Sequence, residues 1–446
     1  MDQTSLDVLR EYLRRNPAHR SDLRLLPARA RVGGCWKRIE EVRNLGYSLE
    51  LLCQGGARLR VPKDLDLRLL RSEEIERLQS IAAQAIGPCR MTRPSSGVRG
   101  SRALPFVRWQ ASSGARGRLA VMGALQWAPA HMGARLLCSL VLWWDRLRAA
   151  EGAVLLIPET WGDYITELIG RVRIPVTCYS YSPQGRVRQI FPRERSKSST
   201  SSPYVMFPLD SPPPEPLLQL SRSFPDLDLM FRSGRWELSL RGLPVLWYHP
   251  AGDLMFDWKH PTRLRSAGAK AWERHLEEVG RLRNWPPPSI RSPYYRSGRE
   301  RWLESLVIRA HRRIHADCLD TVYCQVPTFI EGDRKVLDIL TATQAGRLVV
   351  IELKPRREIG LLLQGLDYWD RVRRHLAGRD FEQAGYFPRT ELSPEPPLLY
   401  LVSPLFEFHP VMPVLRSYLD TAVRFECVGI NSDWRRGLRV LRRFTL

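Results

Sequence analysis

The segment RKVLDILTATQAGRLVVIELKP, residues 334–355, is the part of the sequence that most restricts the fold. It contains two runs of apolar and β-branched residues, which is the pattern of buried β-strands. Between the runs, the QAG at residues 344–346 places glycine where a short hairpin loop favours left-handed backbone geometry. Because side chains alternate along a strand, Glu352 and Lys354 point to the same face of the second strand.

The length of the loop predicts the register of the two strands. We expect Thr343 to lie opposite Arg347 across the loop. Counting outward from that pair places Asp338 opposite Glu352, on the face that carries Lys354. Facing carboxylates destabilise a strand pair, whereas a bound Mg²⁺ or Mn²⁺ ion would use both as oxygen ligands. A surface ion pair that closes the strand is the alternative interpretation.

Other elements surround the hairpin in a defined order. Hydrophobic periodicity predicts a helix at about 300–316, a strand at 321–330, the hairpin, a helix at about 358–376 and a strand at 398–403. With these residues, the segment 298–430 resembles the PD-(D/E)xK nuclease superfamily. Its core is α-β-β-β-α-β, with an aspartate on the second strand and Glu-x-Lys on the third. The resemblance implies a restriction-endonuclease-like fold and metal-dependent cleavage of phosphodiester bonds.

The resemblance implies roles for the hairpin residues. Asp338 and Glu352 would bind Mg²⁺ or Mn²⁺, with the backbone carbonyl of Leu353 as a further ligand. Lys354 would position the attacking water and stabilise charge that develops on the phosphate. Leu337 stands where many members of the superfamily carry a proline, which is a departure from the pattern.

Five further residues are candidates on the same grounds. Glu304 lies in the preceding helix, where many members carry an additional acid. Gln364 and Tyr368, four apart on one helix face, resemble the Gln-x-x-x-Tyr motif of RecB-like nucleases and would orient substrate or water. Arg356 and Arg357 follow the motif directly and are candidate phosphate contacts, with solvated surface charge as the alternative.

The charge of the chain predicts a polyanionic partner. The 446 residues carry a formal net charge of +22, with a pI near 10.2, which is more than solubility requires. Nucleic acid is the commonest soluble polyanion, and the resemblance favours DNA. The eight cysteines show no zinc-ligand spacing, and neither a signal peptide nor a membrane-spanning apolar run is found. We therefore expect a cytoplasmic protein without a membrane partner.

The N-terminal block, residues 1–90, combines a helical pattern with a hairpin pattern. Trp36, Ile39 and Val42 have the spacing of one helix face. Alternating residues on both sides of the QGG at residues 54–56 predict a β-hairpin. The order of helix and hairpin resembles the N-terminal winged helix of biotin-repressor-type regulators.

This second resemblance implies DNA contacts. A recognition helix with Lys37 and Arg38 would enter the major groove, and Arg58 would lie on the wing. The upstream segment, which contains Pro27, departs from the pattern of those regulators. A winged helix that docks another protein is the alternative.

Residues 100–283 alternate between strand and helix patterns, and we expect a parallel α/β module there. No phosphate-binding glycine motif accompanies it. A Ser- and Pro-rich stretch predicts a flexible insertion near 192–217. A Pro-rich connector then leads to the nuclease-like block, residues 298–446. The sequence thus predicts a multidomain α/β protein with roughly three domains.

The function that the sequence favours is a metal-dependent nuclease, acting on DNA and joined to modules that deliver it to its substrate. Two alternatives stay open at this point. In the first alternative, the chain is a non-catalytic DNA-binding regulator or scaffold. In the second alternative, it is a nuclease subunit that works only within a defence or mobile-element complex. The sequence is compatible with a homodimer and with partner proteins.

Overall fold

The structure is a computed structural model of a mixed α/β chain. It describes residues 9, 23–25, 28–32, 35–44, 48–62, 67–95, 105–114, 116–126, 128–148, 150–191, 213–232, 235–249, 252–330, 333–419 and 423–446. These residues form four β-sheets and two compact units. The first unit comprises residues 1–132, 149–162 and 177–190, and the second comprises 133–148, 163–176 and 191–446. No helix in the described part is long and apolar enough to cross a bilayer.

The first sheet of the first unit is an antiparallel meander in which each strand pairs with the next. Its core consists of side chains that alternate inward, including Leu49, Leu51 and Cys53. Its strands are β1 (Leu23–Leu25), β2 (Ala28–Val32), β3 (Cys35–Asn44), β4 (Ser48–Cys53) and β5 (Ala57–Pro62).

The helix predicted over Trp36, Ile39 and Val42 is wrong, because these residues belong to strand β3. Ile39 and Val42 are both buried although they are three residues apart. The pairing of β3 with β4 shifts register between Ile39 and Glu41, as in a β-bulge. A bulge re-phases the alternation of side chains, so this strand acquires the spacing of a helix face.

Because Cys35–Asn44 is a strand, the recognition helix predicted there is not present. Lys37, which is half-buried, and Arg38, which is exposed, lie on β3. Arg58 is exposed on β5, close to the loop at 54–56 around which Cys53 pairs with Ala57. The hairpin prediction is therefore confirmed, while the winged-helix order of elements is not found among the described residues.

The second sheet of the first unit has the strand order β11-β10-β9-β8-β7-β6, and β8 and β9 run parallel, as the sequence predicted. Helix α1 (Leu67–Ile86) packs on it through Leu78, Ile81 and Ala82. The strands are β6 (Arg90–Met91), β7 (Phe106–Ser113), β8 (Gly117–Ala124), β9 (Gly152–Pro158), β10 (Val176–Tyr181) and β11 (Val187–Ile190). The two helices predicted between these strands are present as α2 (Gly133–Leu147) and α3 (Gly162–Ile169).

The first sheet of the second unit is antiparallel throughout. Most of the predicted insertion near 192–217 lies outside the described residues. The helices that accompany this sheet are α4 (Glu215–Ser223), α5 (Leu264–Ala267) and α6 (Ala269–Leu282). The strands are β12 (Leu227–Arg232), β13 (Arg235–Leu240), β14 (Leu243–Tyr248), β15 (Leu254–Phe256) and β16 (Thr262–Arg263).

The second sheet of the second unit has six strands in chain order, β17 to β22. Strands β19, β20 and β21 are parallel to one another, and the remaining pairs are antiparallel. The strands are β17 (Cys318–Ile330), β18 (Asp333–Thr343), β19 (Leu348–Leu353), β20 (Leu398–Pro404), β21 (Glu426–Ile430) and β22 (Val440–Phe444). The helices are α7 (Pro293–Arg296), α8 (Arg299–Arg309), α9 (Leu361–Ala377), α10 (Asp380–Gln383) and α11 (Met412–Ser417).

Helix α8 and the middle strands of this sheet share one hydrophobic core. Trp302, Leu303 and Val307 of α8 pack in the same cluster as Ile339 and Ile351 from β18 and β19. The element order that the sequence predicted around the hairpin, helix, three strands, helix and strand, is confirmed. This order brings α8 next to the middle of β18 and the end of β19.

Helix α9 is held by buried ion pairs to residues 163–176. The carboxylate of Asp370 lies 2.5 Å from Arg171, 2.9 Å from Arg373 and 2.8 Å from Arg374. Burial raises the pKa of Asp370, but the three guanidinium groups outweigh burial and hold the pKa well below its usual value. The carboxylate is therefore ionised and stabilises the fold at neutral pH.

Replacing Asp370 by asparagine should lower the free energy of unfolding by about 3 kcal/mol at pH 7, because Arg171 would stay buried without a carboxylate. A depressed pKa confers stability that is present above the unfolded-state pKa of about 4 and is lost as the pH falls. The difference between wild type and Asp370→Asn should thus shrink progressively below about pH 4. Urea unfolding at pH 7 and pH 3 measures it, with exposed Glu382→Gln as the unchanged control. An equal difference at both pH values would contradict the ion-pair explanation.

Candidate metal centre

The register of the hairpin is the one predicted from its loop. Ala342 pairs with Leu348, and Ile339 pairs with Ile351. Across the loop, the backbone N–H of Thr343 donates to the carbonyl of Arg347 at 2.8 Å. The next pair in the same register is Asp338 and Glu352, so the two carboxylates lie on one face of the sheet.

Three carboxylates converge at this end of the hairpin. Oxygen atoms of Glu300, Asp338 and Glu352 all lie within 4.8 Å of one another. Glu352 is 1% exposed and Asp338 is 9% exposed, whereas the side chain of Glu300 is 46% exposed. The backbone N–H of Leu353 donates to Asp338 Oδ2 at 2.9 Å and fixes that side chain. The cluster is buried on the strand side and open on the side of Glu300.

Lys354 is the cation that balances the cluster. Its Nζ donates to Glu352 Oε1 at 2.9 Å and also to Glu300. Burial raises the pKa of Glu352 well above its usual value, the charge of Asp338 raises it further, and Lys354 offsets only part of both. Burial lowers the pKa of Lys354, but the surrounding carboxylates outweigh burial and raise it well above its usual value. The site is thus an acidic cluster with one ammonium group inside it.

One buried oxygen of the cluster accepts no hydrogen bond from the described residues. This atom is Glu352 Oε2, and burying such an atom without a partner is unfavourable. A hard divalent cation prefers carboxylate oxygens, and the carboxylates of Glu300 and Asp338 lie beside this one. The residues present therefore fit Mg²⁺ or Mn²⁺. The backbone of Leu353 enters the site through its N–H, and a ligand role for its carbonyl stays a prediction.

Glu304, the helix acid that the sequence singled out, has other partners. Its two oxygens accept hydrogen bonds from Arg232 at 2.6 Å and from Gln325 at 3.0 Å. Burial raises the pKa of Glu304 to about 7, although Arg232 lowers it in part. In helix α8 it is Glu300, one turn earlier, that joins Asp338 in the acidic cluster.

Sequence reasoning missed Glu300 although a signal for it existed. Glu300 and Glu304 are four residues apart on one helix, so they share a face and either one fits the position of the additional acid. The hydrogen bond from Arg232 to Glu304 could not be predicted from a local pattern, because Arg232 precedes Glu304 by 72 positions. Gln325 carried no recognisable motif either.

The remaining candidate residues of the second unit differ in whether they line the cavity around the acidic cluster. Tyr368 and Arg356 line the cavity that contains the acids. Gln364 is half-buried on α9, and its Oε1 accepts no hydrogen bond from the described residues. Arg357 is exposed and held to the segment after β20, through its N–H to Glu407 and its guanidinium to the carbonyl of residue 406.

The cavity around the cluster has a volume of about 700 Å³. Its acids are Glu300, Glu304, Asp338 and Glu352. Its other charged lining residues are Lys354 and the four arginines Arg296, Arg299, Arg301 and Arg356. Arginine offers a planar fork of N–H donors that matches phosphate oxygens. The cavity thus combines a potential cation site with donors for a phosphate-containing ligand.

Comparison with known proteins assigns no family to the chain. No protein-family model, no curated protein and no solved structure matches it. The functional inference therefore depends on the residues of the site.

Addition of Mn²⁺ or Mg²⁺ should raise the thermal unfolding temperature of the wild-type protein, since an ion that binds only the folded state stabilises it. At a concentration one hundred times Kd the gain is about 2.7 kcal/mol. Glu352→Gln should lose most of this gain, because the substitution removes a buried anionic ligand. Asp320→Asn, at a carboxylate that is 87% exposed, is the matched control and should retain it. An undiminished gain in Glu352→Gln would exclude the cluster as the binding site.

Proposed function

We propose that the protein is a metal-dependent nuclease that hydrolyses phosphodiester bonds, with DNA as the expected substrate. The observation that carries the proposal is the convergence of Glu300, Asp338 and Glu352 around Lys354. Two of these carboxylates face each other on paired strands, an arrangement that costs stability unless a cation binds there. The surrounding cavity carries arginine side chains, as a phosphodiester ligand requires.

The order of elements gives independent support. Helix α8, strands β17 to β19, helix α9 and strand β20 follow the α-β-β-β-α-β order of the PD-(D/E)xK superfamily. Asp338 is on the second strand of this series and Glu352-Leu353-Lys354 ends the third. We therefore propose that residues 298–446 form a nuclease core of this type. The net charge of +22 favours binding to a nucleic acid.

Glu300, Asp338 and Glu352 would hold the metal ion. When bound, Mg²⁺ or Mn²⁺ would supply Lewis-acid polarisation of the phosphate and lower the pKa of water. Among the side chains, Lys354 is placed to donate a hydrogen bond to a phosphate oxygen from inside the cluster. Tyr368 lines the same cavity and would orient the substrate. Gln364 retains its predicted role of orienting substrate or water.

Cleavage of plasmid, linear duplex, single-stranded DNA and RNA should be tested with Mg²⁺, Mn²⁺ or EDTA. Wild type should cleave DNA only with metal, and Glu352→Gln should be inactive because the metal ligand set is broken. Lys354→Met should lose about 10²–10³-fold in kcat, the effect of removing one donor to a developing negative charge. Asp320→Asn should match wild type. If all proteins bind nucleic acid equally and none cleaves it, a binding or scaffold role, or a nuclease that requires partner proteins, replaces the proposal.

The two arginines that follow the motif should differ in their effect on substrate binding. Arg356 lines the cavity, whereas Arg357 is engaged by Glu407 and the carbonyl of residue 406. Arg356→Ala should weaken binding and reduce the slope of log K against log salt concentration by about one. Arg357→Ala should change that slope less. Fluorescence anisotropy with a labelled oligonucleotide across a salt series measures both, and equal slopes for the two variants would refute the distinction.

A further inference from the structure

A buried ion pair links the sheet of strands β12 to β16 to the helix that carries Glu300. Arg232, the last residue of β12, lies 2.6 Å from Glu304 on α8, and each of the two side chains is at most 2% exposed. Taking two charges out of water costs free energy, and apolar side chains of similar volume often stabilise a protein as well or better. Stability alone therefore gives no reason for an arginine and a glutamate at this position.

The second partner of Glu304 has a strained backbone. Gln325, which donates to Glu304 Oε1 at 3.0 Å, has a φ of 52°, in the left-handed region that side chains other than glycine rarely adopt. It lies between Cys324 and Val326, whose partners on β18 are the two neighbours of Asp338. Gln325 is therefore opposite Asp338, and the strain lies at the centre of the site. Strained residues of this kind cluster at functional sites.

The hydrogen bonds from Arg232 and Gln325 fix the orientation of the Glu304 side chain in the cavity. Glu304 and Gln325 line the cavity together with Asp338, whereas Arg232 lies behind Glu304 and does not. Each carboxylate oxygen of Glu304 has its own donor, so the side chain is held from both sides. A carboxylate held in this way is preorganised relative to Asp338.

The ion pair is not needed to attach α8 to β12, because the same two elements share other contacts. Asp228 on β12 accepts a hydrogen bond from Ser305 at 2.5 Å and pairs with Arg309 at 2.7 Å. The turn between β13 and β14 holds the helix as well, because Gly242, with a φ of 72°, packs so close to the carbonyl of Arg301 that a Cβ would lie 2.1 Å from it. The helix is thus anchored at several points, and the contact of Arg232 is the one directed at the cavity.

We propose that Arg232 and Gln325 are positioning residues for Glu304, and that Glu304 is a fourth acid of the site, which orients a water molecule beside Asp338. The inference rests on the proposed nuclease function and extends the functional machinery to strand β12, outside the nuclease-like block of residues 298–446. Arg232 acts through Glu304 and does not touch the substrate.

Four full-length variants test the proposal in the metal-dependent cleavage assay, with thermal unfolding measured in parallel. Arg232→Met and Glu304→Gln should each lower kcat about 10- to 100-fold with KM unchanged, because the affected groups position the reaction and do not bind the substrate. The double variant Arg232→Met/Glu304→Gln should be no worse than Glu304→Gln, since Glu304 is the one of the two carboxylates paired with Arg232, Glu237 and Glu304, that lines the cavity. Arg309→Met is the matched control, because Arg309 joins the same helix to the same strand through Asp228. The kcat of this variant should stay within about twofold of wild type.

Gln325→Gly separates positioning from stability. Glycine adopts a φ of 52° without strain, so the unfolding temperature should be equal to or higher than that of wild type, while kcat falls about tenfold. The proposal is overturned if Gln325→Gly cleaves like wild type or if Arg309→Met loses as much activity as Arg232→Met. It is also overturned if the loss in kcat of the double variant equals the product of the losses of the two single variants. In each of those cases an active wild type leaves the nuclease function standing. A wild type that cleaves no substrate refutes a nuclease that acts without partner proteins and, with it, the proposed positioning role.

Discussion

The facing pair of Asp338 and Glu352 is the constraint on which the rest of the site depends. Two carboxylates on neighbouring strands repel each other, and burial strengthens that repulsion because the surroundings are less polar than water. The short loop sets the register of β18 and β19, and a shift by one residue would move one of the two carboxylates to the opposite face of the sheet. Lys354 and the N–H of Leu353 offset part of the cost. The hydrophobic sheet thus imposes an electrostatic strain that a bound divalent cation would relieve.

The positive charge of the chain and the negative charge of the site are complementary. The arginines that line the cavity would attract a polyanion, while the acids that line it would repel a phosphate in the absence of a cation. Under the proposed function, binding of substrate and binding of metal would therefore be coupled through charge. The balance also explains why a lysine, and not another arginine, lies inside the cluster, since its compact ammonium contacts both Glu300 and Glu352.

Local patterns predicted the hairpin register and with it the common face of Asp338, Glu352 and Lys354, because the loop length and the apolar runs determine them within about twenty residues of sequence. The element order followed from the hydrophobic periodicity of each element in turn. The same reasoning failed for β3. There a β-bulge brings Ile39 and Val42 to one side of a strand, and spacing alone does not distinguish this from a helix. The choice between two acids on one helix face was equally undetermined, since their difference lies in tertiary partners that no local pattern encodes.

Those partners show how the helix that carries the acids is held. In the proposed site, Arg232 of β12 orients the acid-bearing face of α8 relative to the hairpin through Glu304. The connector before α8 is rich in proline, a composition typical of a linker. Arg283 nevertheless donates to the carbonyls of residues 294, 297 and 298 and fixes this connector at the start of the helix. Composition describes the conformational preference of such a segment, whereas tertiary contacts, such as those of the buried Arg283 guanidinium, fix its position.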